Sequence, residues 1–352
     1  MPASGEKLAR YGFETYEAGE AWLHGAQLQG WSHIYEPVKP GPFNGSFRVA
    51  WLGPLQVIHE RVEHPFRYCG RPWPGARVLM SFLTGSCGLL CNGRPVEADS
   101  VVAHRWDKIE HFSCCQRIEV VLVAIDERFL QEQLTRDFEQ ALFASHAGPV
   151  VVAQGAEHVV TFQQTLLGIL DELSRSPGAL DSRQAQRAMQ RRALNAMASV
   201  ATVRAARGLP LPPPSTRAYI VDTAIEFMGN RLADPISITD ICEKLRVCPR
   251  TLGYSFNTVL GVSPTRLLLA MRLSRVRRDL AAASPGASIQ AIAARWGFWH
   301  MGRFAQQYRR AFGERPSDTC RQAALRSRSA AVTRLAPGAR AARYPELLVS
   351  SA

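Results

Sequence analysis

No apolar run in this chain approaches the ~20 residues needed to cross a bilayer, so no membrane-spanning helix is expected. The start, Met1-Pro-Ala-Ser-Gly-Glu-Lys-Leu-Ala-Arg10, lacks the basic-then-apolar order of a secretory signal, which makes the cytoplasm the expected location. Catalytic signatures are missing too. The nine histidines form no His-Glu-x-x-His or His-x-His pattern, and there is no Gly-x-Ser-x-Gly elbow, phosphate loop or dinucleotide fingerprint. An enzyme is therefore not expected. The eight cysteines (Cys69, Cys87, Cys91, Cys114, Cys115, Cys242, Cys248 and Cys320) include no Cys-x-x-Cys pair and no histidine partner at zinc-ligand spacing. Cys87 and Cys91, followed by Cys114-Cys115, raise metal or redox sensing, but free thiols in a reducing compartment are the simpler reading.

What the chain does have is an uneven charge. Of 42 basic and 30 acidic residues, 21 of each lie between Met1 and Thr216, and 21 basic against 9 acidic lie from Arg217 onward. The second part therefore carries the whole net charge of +12. A neutral part joined to a basic one suggests a ligand- or partner-binding domain followed by one for nucleic acid. Nearly all the basic residues are Arg, which suits bidentate pairing with phosphate or guanine.

The basic part repeats one pattern. Ile289, Ile292 and Ala293 recur at helical spacing, Gly297 breaks the run, and Phe304, Tyr308 and Phe312 then follow at every fourth position. That stripe must face a core, while Arg303, Gln306, Arg309 and Arg310 occupy the other side. Upstream, Ile236–Leu245 predicts a short helix, Arg246-Val-Cys248 a turn, and Pro249–Asn257 a second helix with Pro in its first turn. Two helix-turn-helix units thus stand in tandem, their second helices starting about fifty residues apart. Leu267–Leu280, apolar on one side and Arg-rich on the other, predicts the connector between them.

Together, Ile238-Thr-Asp-Ile241, Arg250-Thr-Leu252, Leu260-Gly-Val-Ser-Pro264, Val276-Arg-Arg278, Trp296-Gly-Phe298 and the Phe304/Tyr308/Phe312 stripe resemble the AraC/XylS family of bacterial transcription regulators. The likeness runs from Ile220 to Ser317. It implies a sequence-specific DNA-binding regulator, an effector-responsive activator. The implied partners are double-stranded DNA, a small-molecule effector and RNA polymerase, with a homodimer common among family members. The implied fold is α+β with two domains: an N-terminal cupin-like β-barrel with a helical extension, then an all-α tandem helix-turn-helix domain. The remote alternative is a cupin-type metalloenzyme fused to a DNA-binding domain. A finer resemblance links Gly30-Trp-Ser-His-Ile-Tyr35, Lys39–Phe47 and Trp296-Gly-Phe-Trp-His300 to the ethanolamine-utilisation regulators of that family. This implies ethanolamine with adenosylcobalamin as effector; an unrelated small effector is the alternative.

In the neutral part, some twenty weakly patterned residues read as a flexible lead-in. Short β-rich runs follow at Phe47–Trp51, Leu55–Glu63, Val78–Leu83, Gly88–Cys91, Ser100–Ala103 and Arg117–Ile125, with Asn92-Gly93 as a hairpin turn. Helical periodicity then takes over at Glu127–Asp137, Gln154–Leu173 and Gln184–Arg207. The last two helices either cap the barrel or bury an apolar face (Val159, Phe162, Leu166, Ile169, Leu173; Ala188, Leu194, Met197, Val200) against a second subunit. Leu209-Pro-Leu-Pro-Pro-Pro214 reads as a stiff linker. The expected domains are 1–208 for effector binding and dimerisation, 209–216 as linker and 217–320 for DNA. The Ala/Arg/Ser-rich 321–352 forms an expected disordered tail.

The expected DNA-contacting residues, which match base-contacting positions of the family, are Arg250, Gly253, Tyr254 and Asn257 in the first reader. In the second they are Gly302, Arg303 and Gln306, joined by Arg309 and Arg310 on the same basic face. Arg303 suits guanine and Gln306 adenine. Cys248 stands where the family often has Ser as a helix cap, which predicts a weak cap; His300 is the candidate cap of the second reader. For the effector, the candidates are Trp31, Tyr35, Glu60, Arg61 and Trp73, with Arg67, His104 and Trp106 as further possibilities. A carboxylate among aromatic faces would suit a small amine. No metal site and no resident cofactor are expected.

Overall fold

The computed structural model describes residues 10–322, apart from 40, 85–88, 92–93, 98–99, 106–109, 115, 134–141, 144–149, 155, 208, 211–214 and 285. The chain divides into two compact units, 1–35 with 43–222 and 36–42 with 223–352.

The first unit opens with β1 (Arg10–Ala18), α1 (Ala21–Gln27), β2 (Ser32–Pro37), β3 (Gly45–Gly53), β4 (Leu55–Val62), β5 (Phe66–Arg71) and β6 (Ala76–Thr84). It continues through β7 (Leu90–Cys91), β8 (Arg94–Pro95), β9 (Ser100–His104), β10 (Glu110–Cys114), β11 (Ile118–Asp126), α2 (Glu127–Gln133) and β12 (Val150–Gln154). Two long helices, α3 (Ala156–Arg175) and α4 (Arg183–Arg207), and the short β13 (Leu209–Pro210) complete it. Eight strands form one sheet in the order β1-β3-β4-β11-β6-β9-β12-β13, and five form another in the order β2-β5-β10-β7-β8.

Alternation along the central strands explains the layering. Ala50, Leu52, Val57, Leu79, Val121, Val123 and Ile125 point to one face of the large sheet and are buried with Phe162, Leu166, Ile169 and Met197 of α3 and α4. Val49, Trp51, Ile58, Met80, Val120 and Leu122 point to the other face, where Tyr35, Phe66, Tyr68 and Phe112 of the small sheet cover them. A sheet buried on both faces must be apolar at nearly every position, and Val121-Leu-Val-Ala-Ile125 is.

Several sequence expectations change here. Neither sheet closes on itself among the described residues, so two packed open sheets stand where a cupin-like barrel is the expectation. Of the two roles open to α3 and α4, the structure assigns the apolar face of α3 to capping the large sheet. Val159, Phe162, Leu166, Ile169 and Leu173 are all buried there. On α4, Met197 and Val200 are buried and Leu194 packs beside them as expected, while Ala188 is exposed and Met189 is buried in its place. The described part of the lead-in is no flexible segment: β1 pairs along its whole length with β3, and Tyr11 and Phe13 pack toward the helices. Leu209 and Pro210 pair with Val151 and Val150, so the proline stretch begins as an edge strand, where a missing N–H is tolerated. The remaining linker prolines, Asn92-Gly93, Cys87, Cys115, Trp106 and the tail beyond 322 lie outside the described residues. Flanking Asn92-Gly93, Leu90 pairs with Pro95 and Cys91 with Arg94.

α5 (Thr216–Asn230) spans the division, and the second unit continues with α6 (Ile238–Leu245), α7 (Pro249–Leu260), α8 (Pro264–Ala281), α9 (Ile289–Arg295) and α10 (Met301–Phe312). Among the described residues no helix is long and apolar enough to cross a membrane.

Candidate functional site

Two helix pairs, α6–α7 and α9–α10, share α8 as a common support. Ser237 caps α6 with a reciprocal box: Asp240 N–H donates to its hydroxyl at 3.2 Å, and Ser237 N–H donates to the Asp240 carboxylate at 2.7 Å. The turn into α7 passes through Arg246 at φ 54°, a left-handed conformation that is uncommon off glycine. In the second pair the same role falls to Gly297, at φ 83°. A Cβ there would make only ordinary contact with the Arg272 guanidinium, 3.4 Å away, so it is the turn that calls for glycine.

Packing fixes the second pair firmly. Phe304, Tyr308 and Ala311 are buried against Leu273, Val276 and Leu280 of α8, together with Ile292 and Ala293 of α9. The rings run edge to face, Phe304 to Tyr308 at 5.6 Å and Tyr308 to Phe312 at 4.7 Å between centroids. The Arg277 guanidinium lies 4.3 Å over Phe312. The Tyr308 hydroxyl meets Thr319 Oγ1 at 2.7 Å in the interior. Trp296 Nε1 donates to Asp279 at 2.8 Å and ties the turn to α8.

With those faces buried, the opposite ones are presented to solvent. Arg250, Tyr254 and Asn257 of α7 are exposed, Tyr254 to 58%, and Gly253 is half-buried. On α10, Gly302, Arg303, Gln306, Arg309 and Arg310 are all exposed. The two Gly positions leave gaps in the reading faces, since a Cβ at Gly253 or Gly302 would meet nothing within 4 Å. Neither reader has a side-chain cap to its backbone. Cys248 Sγ instead lies 3.1 Å from Thr251 Oγ1, and that contact, with first-turn backbone N–H groups, holds the thiol below its ordinary value. His300 occupies the cap position of α10 without a capping bond. Trp299, 74% exposed at the entry to α10, belongs to the Trp296–His300 resemblance but not to the expected DNA contacts. The contrast with buried Phe298 beside it was the available signal.

In the first unit the effector candidates divide. Trp31, Tyr35 and Glu60 line a cavity of about 50 Å³ between the two sheets, together with His33, Tyr68 and apolar side chains that include Phe47, Phe66 and Phe112. Trp73 packs edge-on against Trp31, 6.4 Å between centroids, without lining it. Arg61 is exposed and pairs with Glu63 at 3.2 Å. Arg67 and His104 are buried but outside the lining. Within the cavity wall, Glu60 accepts from the fully buried His24 Nε2 at 2.9 Å and from the Tyr35 hydroxyl. Burial, then the Glu60 charge, holds that hydroxyl well above its ordinary pKa. Burial also pushes the His33 imidazole down to about 3, helped by the charge at His24 against a weaker backbone hydrogen bond to Gly25. His33 and His24 are new to the site. Trp31, His33 and Tyr35 alternate along one strand face, a period that sequence alone displays. Among the described residues no group of three or more His, Cys, Asp or Glu side chains is placed to hold a metal ion.

A family described as "Helix-turn-helix domain" matches residues 241–322, which takes in both reading helices and their connector. The second unit carries a helix-turn-helix domain. The chain is 28% identical over 211 residues to a probable thc operon regulatory protein from Rhodococcus erythropolis, covering 59% of this chain and 62% of that protein. That match is longer than the whole stretch from Arg217 to the end, so it reaches into the first unit. An activator of the XylDLEGF operon from Pseudomonas putida is 37% identical over 102 residues, 29% of this chain and 32% of its own length. A solved structure, a probable AraC family transcriptional regulator from Rhodopseudomonas palustris CGA009, is 28% identical, with 30% of this chain and 96% of that one covered, at TM-score 0.29. The chain thus spans less than two thirds of the curated relatives described here. By their names these are transcription regulators and not enzymes, and none is an ethanolamine regulator.

Proposed function

We propose that this chain is an effector-responsive transcription activator that reads double-stranded DNA with α7 and α10. The observation that carries the reading is geometric. Two helix pairs stand on one connector, each burying its aromatic or aliphatic face and presenting Arg, Gln, Asn and Tyr to solvent. Arg303 and Gln306 lie one turn apart, the arrangement in which Arg reads guanine and Gln reads adenine in a major groove. Arg309, Arg310 and Arg250 supply phosphate contacts, consistent with the basic balance of this part. The first unit senses the effector in the cavity between its sheets, and RNA polymerase is the partner that activation requires. A homodimer would have to use surfaces other than the face of α3 already taken up by the large sheet. The protein would work in the cytoplasm, beside its DNA, with 217–320 as the reading domain and 1–208 as the sensor.

Incubating the purified chain with DNA fragments flanking its own gene tests this. Retention of a discrete fragment, with affinity falling steeply as salt rises, is the expected result. Failure to retain any fragment at low salt would refute it.

A narrower version takes ethanolamine with adenosylcobalamin as the effector, supported by the residues 30–35, 39–47 and 296–300. A cavity of about 50 Å³ has room for roughly four water-sized groups, enough for the amine and far too little for the cobalamin. A rise in thermal midpoint with ethanolamine would support the narrower version. No rise, and no change in operator affinity with both compounds present, would leave only the broader one.

A further inference from the structure

The cavity wall contains a polar group that the fold itself does not satisfy. Both ring nitrogens of His33 are inaccessible to solvent; the Gly25 backbone is the one hydrogen-bond partner the ring has, and no side chain meets either nitrogen. The ring is held in place by aromatic neighbours, Tyr35 at 5.3 Å and Tyr68 at 5.7 Å between centroids, so it cannot swing out to find water. A buried acceptor left unpaired costs on the order of 1–3 kcal/mol, and this imidazole, neutral at pH 7 with its N–H toward the Gly25 backbone, keeps one. Glu60 lies on the same wall, already engaged by His24 and Tyr35. No Lys or Arg lines the cavity among the described residues. The remaining wall is aromatic and aliphatic.

Each property limits the occupant. Without a cation, and with a carboxylate in the wall, an anionic head would be buried unpaired beside a like charge, the costliest arrangement available. The volume, about 50 Å³, favours a small molecule, a short stem with one head group. The apolar wall calls for an apolar stem, and the bare His33 nitrogen calls for a head that can donate, as a hydroxyl or an ammonium does and a carboxylate does not. We propose that the first unit binds a small non-anionic molecule, a short-chain alcohol or amine, with its head on His33 and its stem among Phe47, Phe66 and Phe112. This rests on the reading of that unit as the sensor and names the ligand class it takes.

The test is thermal unfolding of the full chain with three probes of one size, 1-propanol, propylamine and propionate, each titrated into the millimolar range. Binding to the native state alone raises the midpoint. Propanol or propylamine should raise it and propionate should not. Which of the first two acts tells whether the head is neutral or charged. His33→Phe keeps the ring contacts and removes the unpaired nitrogen. It should raise the midpoint of the unliganded protein and abolish the probe-dependent shift. Glu60→Gln removes the like charge and should allow propionate to shift the midpoint. Equal shifts with all three probes, no shift with any, or a shift that survives His33→Phe would overturn the proposal. If the shifts occur as expected but leave operator affinity untouched, the site stands and its role as effector pocket fails.

Discussion

Gly302 is the residue whose identity a stability argument alone cannot explain. It lies in the first turn of α10, fully exposed, and an added methyl group would meet nothing. Gly in a helix is less stable than Ala by roughly 0.5–1 kcal/mol, so Gly302→Ala should raise the thermal midpoint. If the backbone there approaches DNA closely, the same change should weaken operator binding. Higher stability with undiminished affinity would show that the gap has no part in reading. The buried side of the same helix behaves oppositely. Phe304→Ala should destabilise by about 3–5 kcal/mol, because the cavity it leaves is walled by α8 and α9. Urea unfolding of the whole chain would register it, and a loss below about 1 kcal/mol would contradict the packing described. At this scale the sequence is informative wherever a residue type has one reason to be where it is. The Phe304, Tyr308 and Phe312 spacing could only be a core stripe. Arg61 and Trp73 were less legible, because an exposed cation and a packing indole look the same in sequence as ligand contacts.

Among the elements, the caps make a pH-dependent prediction. The Asp240 carboxyl is held below its ordinary value, first by the Ser237 backbone N–H and then by its hydroxyl. An acid whose pKa is lower folded than unfolded binds fewer protons in the folded state. Its contribution is therefore present above the ordinary value of about 4 and is lost as pH falls through the folded one. The difference in midpoint between the parent protein and Asp240→Ala should shrink on acidification below about pH 4; a constant difference would mean that the box is not ionic. Helices were legible because Ser237, Pro249, Ser263, Ser288, Gly261 and Gly313 mark their ends locally. β1 was not, since Arg10–Ala18 becomes a strand by pairing with β3 and its alternation is too weak to announce that alone. Leu209-Pro210 illustrates the converse, a local proline signal overridden by a partner strand.

For the whole molecule, the charge division and the two compact units point the same way. A fragment from Ser215 to Arg328 should fold by itself, giving a helical circular dichroism spectrum, and bind operator DNA; an unfolded fragment would refute that boundary. The open pair of sheets in the first unit could not be told from a barrel in sequence, because short apolar strands serve either and closure depends on which edges meet. The DNA-reading claim is tested most directly by titrating cognate and scrambled operators at several salt concentrations with Arg303→Ala and Arg309→Ala. Arg303→Ala should lose about 1–3 kcal/mol on the cognate site alone and relax the preference at one base pair. Arg309→Ala should weaken binding to both DNAs alike and lower the salt slope by about one ion. Equal losses on both DNAs for Arg303→Ala would place the reading face on the wrong side of α10.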